Sequence, residues 1–155
     1  MKYFGLKLHS VVSLTGVVMG FLLTGASHYD NQAVVELLDS FAHHFTRLLG
    51  DGAYNDAALQ TFLKQYRSVQ VLAPVKVNQQ PVRSKQAQQQ LNRLRLICET
   101  VNAQLQEQLH VSKHEAKSTW GLLTRIAAKV TAHSVGMMVN TLLGRPALQL
   151  AELAV

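Results

Sequence analysis

Asp51 lies between Gly50 and Gly52, in a turn into which the short strand-like run Arg47-Leu48-Leu49 leads. Its carboxylate is therefore expected to stand exposed at the C-terminal end of a strand, where open α/β sheets place their ligand sites. Glu99 falls at the edge of the apolar stripe of a long helical segment, four residues after Arg95. Each acid also has a plainer reading. Gly-Asp-Gly is an ordinary turn, and Glu99 with Arg95 is an i,i+4 pair on a helix surface.

Seven histidines and one cysteine, Cys98, invite a search for a metal site. The rings of His43 and His44 diverge on a helix, and His110 and His114 flank an expected helix break. No cysteine or carboxylate completes a tetrahedral zinc set near them. His9, His28 and His133 read as strand-face, loop and packed-helix residues, and a lone cysteine excludes an internal disulfide.

Composition describes a folded chain, with 48% hydrophobic and 15% charged residues. The net charge of +6 is unevenly placed: residues 1–75 hold five Lys/Arg and five Asp/Glu, and residues 76–155 hold ten and four. The whole excess lies in the second half, which points to a polyanionic partner or to a solvated basic face. Candidate phosphate contacts there are Arg83, Lys85, Arg93, Arg95, Lys113, Lys117, Arg125 and Lys129.

These residues must be positioned by elements, and the first thirty residues can be read in two ways. Lys2, Lys7, the apolar stretch Val11–Thr24 and Thr24-Gly25-Ala26 imitate an export signal, though the stretch is short for a membrane span. The same residues make a hairpin, Tyr3–Val12 and Val17–Leu23, around Ser13-Leu14-Thr15-Gly16. Further on, Asp30 caps a helix carrying Val34, Val35, Leu37, Leu38 and Phe41 and ending near Phe45. Arg47–Leu49 is a strand. Asn55 caps a helix to Tyr66 with Ala58, Leu59, Phe62 and Leu63 inward, and Ser68–Ala73 is another strand. Residues 76–84 form a polar loop. Leu91, Leu94, Cys98, Val101 and Leu105 give a helix from Gln86 to Leu109. Ser118 caps a last helix to Leu143, with Trp120, Leu123, Ile126 and Val130 in its core stripe. The order is β-β-α-β-α-β-α-α, an α/β class.

Five stretches in this order resemble the catalytic domain of insertion-sequence DDE transposases. They are Tyr3–His9; Phe21–Asp30, with its Leu-Thr-x5-Asp pattern; Leu49–Tyr54; Arg95–Val101, with its Arg-x3-Glu pattern; and Ala116–Leu122 with Leu142–Pro146. The resemblance implies a ribonuclease-H-like fold and makes Tyr3–Leu23 a hairpin of its sheet. It implies that Asp51 and Glu99 are catalytic and ligate Mg²⁺ or Mn²⁺, and that Arg95 and Lys117 contact DNA at transposon ends. Two divalent ions about 4 Å apart activate a water or hydroxyl nucleophile and screen the phosphate charge, and oxygen ligands suit magnesium or manganese. The family's first aspartate belongs to a strand before the hairpin, and only Met1 and Lys2 precede Tyr3. The chain thus reads as one partial catalytic domain, with a sheet-rich half at 1–75 and a basic helical half at 85–155. Its first central strand would be missing, and an upstream transposase segment would supply it. Such a part would be inactive alone, cytoplasmic and not membrane-bound, and able to form homo-oligomers. The alternatives are a residual non-catalytic DNA-binding module and a small exported protein.

Overall fold

A computed structural model of the chain describes residues 5–39, 45–74 and 84–153. Among these the protein is mixed α/β, with four short strands in two small sheets and four α-helices. Strands β1 (Leu6–Val12) and β2 (Val18–Gly25) pair as a hairpin. Its turn closes by Gly16 N–H donating to the Ser13 carbonyl (3.0 Å) and Ser13 N–H to that of Val17 (2.8 Å). Gly16 sits at φ +93°, and a β-carbon there would come within 2.6 Å of Leu148. Backbone conformation and close packing both require glycine at this corner.

Helix α1 (Asp30–Asp39) buries Ala33, Val34, Leu37 and Leu38, the 3–4 spacing of an amphipathic helix. Asp30 does not cap it by a side-chain bond to the helix; it opens the first turn and pairs with Lys7 Nζ at 3.2 Å. An acid in that turn still complements the helix dipole. Phe41 lies within residues 40–44, outside the described residues, and Phe45, near which the helix is expected to end, is not helical.

Strands β3 (Arg47–Leu49) and β4 (Gln70–Leu72) pair in parallel, in the register Arg47↔Gln70, Leu48↔Val71, Leu49↔Leu72. Helix α2 (Ala57–Arg67) makes the crossover between them, so the segment is a β-α-β unit. Its cap is Asp56, whose Oδ1 accepts from Leu59 N–H at 2.9 Å, one residue later than Asn55. Leu59 and Leu63 are buried, but Ala58 is exposed and Phe62 turns outward to stack on Tyr66 with ring centroids 4.9 Å apart. A pair of three-residue strands is too narrow to cover a wider stripe. Ser68 ends α2 at φ 54°, which delays β4 to Gln70.

Helix α3 (Lys85–Ala103) runs into a π-helical turn, Gln104–Gln108, closed by Leu109 N–H donating to the Gln104 carbonyl. Most of the expected 76–84 loop lies outside the described residues; Ser84 closes it, its Oγ accepting from Ala87 N–H. Helix α4 (Thr119–Leu142) is capped by Ser118, whose Oγ accepts from Gly121 N–H at 3.1 Å. Its buried face is Leu122, Ile126, His133, Met137 and Asn140. Trp120 is not in that core: it is 78% exposed. Two residues before Leu122 places it about 200° around the helix from the buried face.

The contacts divide the chain into two units, Met1–Val11 with Gly20–Arg95, and Val12–Met19 with Leu96–Val155. In the first, Val34, Leu38, Leu59, Leu63, Val69, Val71 and Ala73 form the core. In the second, Val101, Leu105, Val111, Leu122, Ile126 and Met137 are buried together with polar Gln104, His133 and Asn140. No helix among the described residues is long and apolar enough to cross a membrane.

Candidate active site

Asp51 occupies the first position after the β3 edge that Gly50 closes, where Gly50 N–H donates to the Leu72 carbonyl of β4 (3.1 Å). It is exposed at the C-terminal end of a parallel strand, as its sequence context requires. Its Oδ1 accepts from Ala53 N–H at 2.9 Å and caps a short 3₁₀ turn, Gly52–Tyr54. Asp51 thus has the structural role of a turn aspartate, while its exposed carboxylate retains acceptor capacity for a cation.

The turn itself is braced from three directions. The ring and β-carbon of Tyr54 cover Gly50, and a β-carbon at position 50 would lie 2.6 Å from Tyr54 Cδ2 and 2.8 Å from its Cβ. Asn55 Nδ2 donates to the Pro74 carbonyl at 3.2 Å, tying the turn to the end of β4. Gln60 Nε2 reaches back from α2 to the Tyr54 carbonyl and to Asn55 Oδ1. Burial pushes the Tyr54 phenol above its usual range, and the charges of Asp30 and Asp51 add to that, so it stays protonated at neutral pH.

Arg95 and Glu99 sit one turn apart on α3, which puts them on one helix face; Glu99 is exposed and Arg95 half-buried. Lys117 is exposed immediately before the cap of α4. Asp51 belongs to the first unit and Glu99 to the second, with Arg95 the last residue of the first. Among the described residues, no three His, Cys, Asp or Glu side chains close around a metal position. As donors Asp51 and Glu99 fit a hard cation, since both present exposed carboxylate oxygens. Two of the other candidate cations are engaged by the protein: Arg125 donates to the His114 carbonyl (2.6 Å) and Lys129 to that of His110 (2.5 Å).

The family model described as the transposase DDE domain matches residues 2–135, which run from before β1 into the second half of α4. The chain belongs to the transposase DDE domain family. Membership implies a transposase activity, DNA as partner and divalent metals for the family as a whole. The matched part of the DDE chain contains Asp51, Arg95, Glu99 and Lys117. No curated protein matches the chain, and no solved structure does.

Sequence reasoning missed two groups in this DDE chain. The bracing of the Asp51 turn was foreshadowed only by Gly50, whose need for close approach appears once Tyr54 is in place. The second is a buried polar cluster: His133 Nε2 lies 2.9 Å from Gln104 Oε1, Gln104 Nε2 donates to the Leu148 carbonyl, and Asn140 Nδ2 donates to that of Ala147 (3.3 Å). An apolar-stripe reading passes over such residues because Gln104, His133 and Asn140 are polar.

Burial lowers the pKa of His133, and burial is also the main cause lowering that of His9, opposed by Asp30 and assisted by Lys7 and His28. An unfolded chain regains the ordinary histidine value near 6.5, so below that pH it binds more protons than the folded one. The stability these histidines provide is complete above about pH 6.5 and is lost as pH falls toward their lowered folded values. Urea midpoints are expected to drop from pH 7.5 to pH 5, and less in a His133→Asn variant; an equal drop in both would remove His133 as a contributor.

Proposed function

We propose that this chain is part of the ribonuclease-H-like catalytic domain of an insertion-sequence transposase, acting in the cytoplasm on transposon-end DNA. The observation that carries the reading is the placement of Asp51, exposed at the end of a parallel β-α-β strand within the matched region. In this reading Asp51 and Glu99 hold Mg²⁺ or Mn²⁺, which when bound lowers the pKa of the attacking oxygen and screens the phosphate. Asp51 supplies one oxygen while its other bond to Ala53 N–H fixes the carboxylate. Arg95, one turn from Glu99, contacts the scissile phosphate, and Lys117 holds flanking backbone without reading sequence.

Two carboxylates leave the ligand set short of the family's three. In this reading a further aspartate, on a strand supplied by another segment, completes it. The test is Mg²⁺-dependent cleavage of transposon-end DNA by residues 1–155, alone and with an upstream segment bearing that strand. Activity is expected only with the segment. Full activity of residues 1–155 alone would overturn the reading of a partial domain.

Binding itself follows from charge. With two phosphate contacts, from Arg95 and Lys117, affinity for duplex DNA is expected to fall about tenfold between 50 and 200 mM salt, at a slope near 0.9 per contact. Fluorescence anisotropy across that range checks it. A flat response would remove phosphate contact as the basis of binding.

A further inference from the structure

Trp120 is the only tryptophan in the chain and is 78% exposed, in the first turn of α4. Tryptophan is ordinarily among the most buried residues by area, so an exposed ring of this size is an informative exception. Its surroundings are not those of a protein-docking patch. Lys117, Ser118, Thr119, Thr124 and Arg125 are all exposed beside it in sequence and along the helix face. The other exposed large apolar residues of α4, Val135, Met138 and Leu142, begin about 22 Å further along the helix, at 1.5 Å per residue.

The segment leading to the ring is both basic and fixed. Lys113 and Lys117 are exposed, and Glu115 is the one acid between them. Val111 N–H donates to the Leu105 carbonyl (2.9 Å), Lys113 N–H to that of His110 (2.9 Å), and Ala116 N–H to His114 Nδ1 (3.1 Å). Arg125 and Lys129 clamp the His114 and His110 carbonyls from α4. The ring is therefore presented from a held scaffold, with two free-standing lysine charges on the loop before it.

We propose that Trp120 is a stacking platform for an unpaired DNA base, with Lys113 and Lys117 neutralising the phosphates of the same strand. An aromatic face beside cations is the recurring arrangement for single-stranded nucleic acid, because every base offers a π-face and the backbone supplies the charge. A duplex keeps its bases stacked on one another and offers the ring nothing but an end. This inference rests on the DNA reading above and deepens it, by assigning a residue that discriminates single-stranded from duplex DNA.

The experiment uses the full chain and two probes, a fluorescently labelled twelve-residue oligothymidylate and a duplex of the same length. Anisotropy reports binding, and emission of the single tryptophan reports stacking with no ambiguity of assignment. Oligothymidylate is expected to quench the emission by about half at saturation, and the duplex by little. Trp120→Ala is expected to weaken oligothymidylate binding roughly 5- to 150-fold, the range for loss of one stacked base, and to leave duplex binding within about twofold. Trp120→Phe restores most of the loss. Because the ring is exposed, neither variant disturbs the core, which circular dichroism checks. Oligothymidylate binding without quenching, and unaffected by Trp120→Ala, overturns the stacking role alone. Absence of binding to either probe at low salt overturns the DNA reading and this inference with it. A concentration-dependent blue shift without DNA would mean that a second copy covers the ring, and overturns the proposal.

Discussion

Asp51→Asn, on the proposed reading of Asp51 as a metal ligand, is expected to reduce Mg²⁺-dependent strand cleavage at least about a thousandfold, with folding stability nearly unchanged. The choice of asparagine separates the two roles of this side chain. Asparagine caps as well as aspartate does, so its amide oxygen can still accept from Ala53 N–H and keep the 3₁₀ turn Gly52–Tyr54. What it removes is the negative charge that a hard cation requires. Electrostatic stabilisation of a developing charge is the largest single catalytic contribution in most enzymes. Losing a metal ligand removes both that stabilisation and the activated nucleophile. Glu99→Gln, on an exposed turn of α3, is expected to match it in rate. Cleavage rates and urea midpoints measured on the same preparations decide the matter. A variant at position 51 that cleaves within tenfold of the parent would leave Asp51 as a turn cap only.

The elements that carry these residues were legible because local signals agree with one another. Strand β3 carries the apolar pair Leu48-Leu49 directly before Gly50, and Ser118 precedes an uninterrupted helical stretch that stops just before Gly144. Where two capping residues stand side by side, as Asn55 and Asp56 do, the sequence reading takes the first, Asn55, and is one residue early. In the structure Asp56 takes the helix and Asn55 takes the Pro74 carbonyl, a tertiary partner nineteen residues away. Trp120 shows the opposite failure. Hydrophobicity alone assigned it to the core, but the rotation of α4 is fixed by Leu122, Ile126, His133 and Asn140, two of them polar. Buried polar residues carry no periodic apolar signal, so the true inward face was read incorrectly at its start. For the site, the exposure of Asp51 was legible in the glycines on either side. The pairing of Asp51 with Glu99 rested on the resemblance, since no local pattern links residues 48 positions apart.

Gly50→Ala is expected to destabilise the first unit by about 2–3 kcal/mol, the upper part of the range for overpacking a close contact. The added β-carbon would meet Tyr54 Cδ2 at 2.6 Å, Cβ at 2.8 Å and Cγ at 2.9 Å. Rotation about the side-chain bonds of Tyr54 moves the ring but not Cβ, so the clash cannot be relieved without shifting backbone. The backbone available to shift is the Asp51 turn. It is held by Gly50 N–H on the Leu72 carbonyl, Tyr54 N–H on the Asp51 carbonyl and Asn55 Nδ2 on the Pro74 carbonyl. Displacing it moves the Asp51 carboxylate, and in the proposed metal-binding role of Asp51 a misplacement of about an ångström costs on the order of a hundredfold in rate. A double-mutant cycle isolates the cause. Tyr54→Gly alone loses the packing of a half-buried ring, but in the Gly50→Ala background it also removes the three atoms nearest the new methyl. The two substitutions together are therefore expected to cost less than their sum by about 1–3 kcal/mol, as for residues in direct contact. Urea midpoints of the four proteins give that coupling directly. Simple additivity would mean that Gly50 is required for some reason other than the Tyr54 side chain.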